Sequence, residues 1–239
     1  VSLSVNGKRP AHPWSKGGLQ PGDQLLLSRS LGTGVLFAAA MTGAAEPEDL
    51  DHALAQMGTS QHPIVQQLQE LISLEAEALP SCTDVTGFGL LGHLGEMLQA
   101  SSQSLQVVLD GSAIPALPGA LKLLNAQYAS SLAPANRRAW SLLDPTQGKP
   151  AKVILSRASS GCTPEDHQAM LELLVDPQTC GPLMLSCSGA MADALLQAHD
   201  TEWHHIGVVS ALRADSACAS AAIQPLDLDL AASPGPADL

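Results

Sequence analysis

Cys82-Thr-Asp-Val-Thr-Gly-Phe-Gly-Leu-Leu-Gly-His-Leu94 is the run on which the reading of this chain turns. Thr86 is placed to cap a helix, because a hydroxyl just ahead of a helix accepts from its unpaired N–H groups. Leu90, Leu91, Leu94 and Leu98 then recur as one apolar helical stripe, so a helix is expected to begin near Gly87. The glycines in the run allow close backbone approach. A helix start presents free N–H groups and the positive end of the dipole, which favour an anion. Asp84, just upstream, offers a hard carboxylate oxygen suited to Mg2+. An anion seat beside such a carboxylate suits a metal–nucleotide complex. A plainer reading fits the same residues: Asp84 caps a turn and the glycines only make room for packing. Spacing alone does not separate the two.

Upstream, Gln24-Leu-Leu-Leu-Ser28 reads as a short buried strand, and residues 34–41, after the Gly32-Thr-Gly34 turn, as a helix. A second helix should start after Glu46-Pro47-Glu48, since Pro suits a first turn and acids favour the positive helix end. Ile64, Leu68, Leu71, Ile72 and Leu79 keep near-helical spacing over residues 63–79, until Pro80 halts it. Downstream, residues 105–109, 153–155, 183–185 and 206–209 read as strands, and 190–198 as a helix. Residues 1–7 alternate apolar and polar before an Asn-Gly turn and read as a strand; residues 8–22, rich in Pro, Gly and Lys, read as a linker. From Gln224 the tail lacks periodicity and reads as disordered. The expected division is residues 1–20 as the end of a preceding domain with its linker, 21–223 as the globular domain, and 224–239 as the tail.

Hydrophobic residues make up 45% of the 239, charged residues 14% and aromatics 3%. Such a chain folds around Leu, Val, Ile, Ala and Met, which favours Ala/Leu-rich helices on aliphatic strands, a mixed α and β protein. The net charge of −12 argues against nucleic acid as a partner. The same charge repels a free nucleotide, so phosphate chemistry here must bring divalent cations or borrow positive charge from elsewhere. Five scattered cysteines without a C-x-x-C pair suggest neither a disulfide framework nor zinc, and a reducing cytoplasm is the simplest location. No apolar run has the length of a membrane span, and no signal-peptide order opens the chain. A start at Val1 points to a fragment or a processed product.

The run Thr83-Asp-Val-Thr-Gly-Phe-Gly-Leu-Leu-Gly-His93 resembles the signature of selenophosphate synthetases, the selenide, water dikinases. Further stretches resemble the same family in the same order: Val5-Asn-Gly7, Pro21-Gly-Asp-Gln-Leu-Leu-Leu27, Leu31-Gly-Thr-Gly-Val-Leu36 and Asp176-Pro-Gln-Thr179. The resemblance implies the second domain of a two-domain protein related to aminoimidazole ribonucleotide synthetase, thiamine monophosphate kinase and a hydrogenase maturation factor. Its fold would be α+β, a mixed β-sheet flanked by helices in α/β/α layers. The implied reaction converts ATP, selenide and water to selenophosphate, AMP and phosphate. In that family the amino-terminal domain supplies most of the ATP site, a catalytic Cys or selenocysteine, a Lys and several metal-binding Asp residues. The resemblance assigns Asp84 to Mg2+, sets Thr83, Thr86 and Gly87 on the phosphate side of ATP, and leaves no catalytic residue in this chain. The missing amino-terminal domain is then the first partner, a homodimer the expected state of the whole protein, and little ATP affinity the expectation for this chain alone.

The late turn departs from the family, which continues with Ser-Gly-Gly where this chain has Cys180-Gly-Pro182; Pro removes a backbone donor. Leu132-Ala-Pro-Ala-Asn136 replaces a Gly-Gly-Thr ahead of Asn. Cys180 is expected to be a buried, inert small hydrophobe and Cys82 a packing residue. His93 is expected at a polar surface or a satisfied position, and Arg137 and Arg138 on a solvated helix face. His204 and His205, adjacent on a strand, point to opposite faces and are not expected to share a metal. Two other functions stay open: a related kinase such as thiamine monophosphate kinase, and a non-catalytic dimerisation or regulatory module of a fusion protein.

Overall fold

Leu25 and Leu27 join one apolar cluster while Leu26 joins another, and this alternation makes β1 (Gln24–Leu27) a strand covered on both faces. The computed structural model describes residues 4, 6, 7, 13–74, 79–137, 151–156, 163–198 and 202–212. After β1 come α1 (Thr33–Ala40), α2 (Pro47–Gly58), α3 (His62–Leu74), β2 (Ser81–Asp84), α4 (Gly89–Ala100) and β3 (Leu105–Asp110). Then follow α5 (Ala120–Asn125), α6 (Ala133–Asn136), β4 (Ala151–Ser156), α7 (Pro164–Val175), β5 (Leu183–Cys187), α8 (Gly189–Gln197) and β6 (His204–Ala211).

The strands form one mixed sheet in the order β2-β5-β1-β6-β3-β4, antiparallel throughout except for the β3–β4 pair. On one face, buried residues of α1, α4, α5 and α7 pack with Leu25, Leu27, Val107 and Met184. On the other, Ile64 and Leu68 of α3 and Met191 and Leu195 of α8 pack with Leu26, Leu185 and Trp203. These are the helix, sheet and helix layers of the expected α+β fold. The pairing directions bring the ends of β1 and β2 and the starts of β5 and β6 to one end of the sheet, where Asp84 pairs with Leu183 and Leu27 with both Met184 and His204.

Several local expectations change. Helix α4 starts at Gly89, whose φ of 71° only glycine adopts readily, two residues later than the leucine stripe suggested. Helix α3 is described as far as Leu74, and Leu79, expected within it, lies outside any helix and is half-exposed. Helix α7 was not read from the sequence, although Thr163 and Asp166 cap it reciprocally and Pro164 opens it. Part of the segment read as linker packs on the domain: Leu19 is fully buried, Ser101 Oγ accepts from the Gly18 and Leu19 N–H groups, and Ser15 bridges to Ser81. The strand expected over 1–7, the tail from Gln224, Arg138, Cys162 and Cys218 fall wholly or largely outside the described residues.

Candidate functional site

Strand β2 alternates, so Thr83 turns into the protein and Asp84, its last residue, is exposed at the sheet's end. Thr83 is 5% exposed, and its hydroxyl donates to the Asp84 carbonyl at 3.4 Å. Cys82 lies mostly buried on the Asp84 side; burial, with a smaller push from Asp84, raises its thiol to about 12. It stays a protonated packing residue. Beyond Asp84 the chain is clamped by the late turn: Val85 N–H donates to the Pro182 carbonyl at 2.8 Å, and Gln178 N–H to the Thr86 carbonyl at 3.0 Å. The strand therefore uses the Pro182 carbonyl, a group that proline keeps, which is why Cys180-Gly-Pro182 fits here.

The late turn in turn holds the start of α1. Gln178 Oε1 accepts from the Gly32 and Thr33 N–H groups and from Thr33 Oγ1, at 3.0, 3.3 and 3.2 Å. Asp176 Oδ2 accepts from the Gly34 N–H at 3.0 Å, and Gln178 Nε2 donates to the same oxygen. Asn136 reaches in from α6, its Nδ2 donating to the carbonyls of Gly87 (2.7 Å) and Val175 (3.0 Å). Residues 31–36, 83–93 and 176–179, distant in sequence, thus meet in one hydrogen-bonded unit around the exposed Asp84.

Thr86 does not cap α4. The N-cap position falls on Phe88, with no side-chain cap, and the Thr86 hydroxyl lies 3.0 Å from His93 Nε2. Gly87 is exposed, and a Cβ added there meets nothing within 4 Å. Gly87 and Phe88, between Asp84 and α4, are both exposed, whereas the first turn of α4 is buried and its Gly89 N–H is taken by the Thr86 carbonyl at 3.0 Å. One exposed carboxylate at a strand end fits Mg2+, which keeps several waters and takes a few carboxylates plus phosphate oxygens. Among the described residues, no three His, Cys, Asp or Glu side chains converge to hold a metal by themselves.

Other expectations resolve as follows. Cys180 is exposed with φ of 51°, not buried, because its carbonyl rather than its side chain faces inward, accepting from Arg29 Nη1 at 3.2 Å. Of the two positions expected for His93, it takes the satisfied one, buried with both ring nitrogens hydrogen-bonded. Arg137 is bound through Nε and Nη2 by the Glu172 carboxylate, at 2.7 to 3.2 Å, instead of facing solvent freely. His205 Nε2 lies 2.8 Å from Gln24 Oε1 and His204 Nε2 3.5 Å from Glu202 Oε1, so the two imidazoles turn to different partners.

Residues 20–217 match the family described as AIR synthase related protein, C-terminal domain. The chain belongs to that family. It is 33% identical over 199 residues to a selenide, water dikinase of Desulfitobacterium hafniense (strain DSM 10664 / DCB-2), a match covering 82% of this chain and 50% of that protein. To the selenide, water dikinase of Geobacter metallireducens it is 34% identical over 181 residues, covering 74% and 44%. The chain spans about half the length of the curated relatives it matches. Among solved structures, the E. coli hydrogenase maturation protein HypE is similar with TM-score 0.48 and 16% identity, over 84% of this chain and 47% of that one. Thiamine monophosphate kinase from Aquifex aeolicus gives TM-score 0.48 and 15% identity, over 82% and 50%.

Within this AIR synthase-related domain, sequence reading missed Arg29, Asn136, Asp176 and Gln178 as organisers of the site. Arg29, nearly buried, donates to the carbonyls of Gln56, Thr59 and Cys180 and so ties the end of α2 to the late turn. Its signal was only an isolated charge after an apolar strand. The domain's late turn is also sterically locked: a Cβ on Gly181 would lie 2.1 Å from the Val85 carbonyl oxygen. Gly181→Ala should therefore lower stability by about 1–3 kcal/mol, read as a reduced urea midpoint with an unchanged slope. A midpoint equal to the parent's would mean that the turn yields freely and does not hold β2.

Proposed function

We propose that this AIR synthase-related domain is the carboxy-terminal half of a selenide, water dikinase and contributes Asp84 as one metal ligand of a site completed by an amino-terminal half. The observation carrying this reading is the exposed Asp84 at the end of β2, framed by the three segments that resemble the dikinases. Selenide, water dikinases as relatives at 33 and 34% identity support it. Phosphoryl transfer depends on positioning and on offsetting charge at the phosphates. Bound Mg2+ would supply that offset, which a chain of net charge −12 needs. Asp84 would hold the ion, with Thr83, Thr86 and Gly87 on the side of the phosphates. Thr83 would act from behind as packing for the strand and Gly87 by leaving space.

Phosphorus NMR of selenophosphate formation from ATP and selenide tests the proposal, comparing this chain, the full-length protein, and this chain mixed with the amino-terminal half. Product is expected from the full-length protein and the mixture, with none from this chain alone. A folded full-length protein that makes no selenophosphate would replace this reading with the dimerisation or regulatory module. Phosphorylation of thiamine monophosphate instead would make it a related kinase.

A further inference from the structure

Thr86, His93 and Glu96 form a hydroxyl–imidazole–carboxylate chain two residues from Asp84. Thr86 Oγ1 lies 3.0 Å from His93 Nε2, and His93 Nδ1 lies 3.2 Å from Glu96 Oε2. Lys16 Nζ closes the chain at 2.5 Å from the same oxygen. The imidazole is 5% exposed, with the Phe88 ring centroid 5.9 Å from its own.

With a neutral imidazole, hydrogen counting gives each bond a direction. Desolvation works against the charge on Glu96, but its hydrogen-bonded neighbours, Lys16 first among them, hold the carboxyl below its usual range. An ionised carboxylate only accepts, so His93 Nδ1 carries a hydrogen toward it. In the neutral imidazole Nε2 then bears the lone pair, and the Thr86 hydroxyl must donate to it. Thr86 thereby spends its one hydrogen inside the protein. Only its lone pairs remain for another donor, and among the described residues it makes no other side-chain hydrogen bond.

We propose that His93 and Glu96 hold Thr86 as a fixed hydrogen-bond acceptor beside Asp84, and that the group it receives and orients is a water molecule, not a phosphate oxygen. An unprotonated phosphate oxygen offers no hydrogen to such an acceptor and is repelled by it. Water offers two. The assignment rests on the dikinase reading, in which water is a reactant. His93 and Glu96 are positioning residues acting through Thr86, and Lys16 keeps Glu96 ionised.

Two measurements test it. In a long-range proton–nitrogen NMR spectrum of this 239-residue chain, His93 should appear as the neutral Nδ1–H tautomer. Thr86→Val should shift only its Nε2 resonance strongly, and Glu96→Gln, at a partly exposed position, should weaken the tautomer preference without unfolding. An Nε2–H tautomer or an imidazolium in the parent overturns the proposal, because the Thr86 hydrogen would be free for a phosphate. In the full-length protein, Thr86→Val should lower kcat about 100-fold with KM for ATP nearly unchanged, and Thr86→Ser should restore most of it. A raised KM with normal kcat, or no effect at all, would also overturn it. A full-length protein without any dikinase activity sinks the function proposed above, and the spectrum still decides the direction of the Thr86 bond.

Discussion

Asp84→Asn is expected to leave the domain folded while removing nearly all metal-dependent phosphoryl transfer from the full-length protein. The side chain is exposed at a strand end, and a change there that breaks no packing or cap costs within about 0.5 kcal/mol. Asparagine keeps the shape but offers a neutral amide oxygen in place of a charged one. Mg2+ favours hard carboxylate oxygens, so in the proposed role its hold at this position would weaken and charge on the phosphates would go uncompensated. A loss of electrostatic stabilisation of this kind amounts to roughly 100- to 1000-fold in kcat. Selenophosphate formation should fall accordingly, Mn2+ titration should show weaker binding, and the unfolding midpoint should stay put. Full activity in the variant would remove Asp84 from the metal site.

Asp176 should make the domain lose stability as pH rises through neutrality. Its carboxyl is 1% exposed and one oxygen, Oδ1, has no hydrogen-bond partner. Burial pushes its pKa from 3.8 to about 7, helped slightly by Glu172 and opposed by hydrogen bonds from Val35, Gln178 and Gly34. Glu172 itself is paired with Arg137. Below about pH 4 Asp176 is protonated in both folded and unfolded chains, and its contribution is fully present. Between about 4 and 7 the unfolded chain ionises first, so stability drains away until the folded carboxyl ionises too. A shift of that size corresponds to at most about 4 kcal/mol, and the N-terminal dipole of α1 brings it below that ceiling. Asp176→Asn keeps an acceptor oxygen for Gly34 and Gln178 but carries no charge. The difference in urea midpoint between variant and parent should grow in the variant's favour from pH 5 to pH 8. Parallel curves would show that Asp176 does not titrate in this range.

The layers and strands were legible because their signals are local. Leu25 to Leu27 and Leu105 to Leu109 announce strands by composition alone, and Pro47 announces α2 by its fixed φ. The resemblance of residues 83–93 pointed to Asp84 before any geometry was known. What the sequence hid depends on partners far along the chain. Thr86 reads as a helix cap because Ser and Thr before a helix usually are, yet His93, seven residues on, claims its hydroxyl. Cys180 reads as buried because free cysteines usually are, yet the backbone twist at φ of 51° turns its carbonyl inward and its thiol out. Asn136, Asp176 and Gln178 look like ordinary polar residues until the fold sets them against Gly87, Gly34 and Thr33.

Strand β2, which ends at Asp84, is the outermost strand on its side of the sheet, and its free edge is met by the chain's own residue Ser15, whose carbonyl accepts from Cys82 N–H at 2.9 Å. A covered rim of this kind gives a foreign strand little to zip onto and so discourages aggregation through β2. It also makes the segment ahead of β1 a tether: Trp14 packs on the apolar layer under the sheet, and Ser15 bonds Cys82, two residues from Asp84.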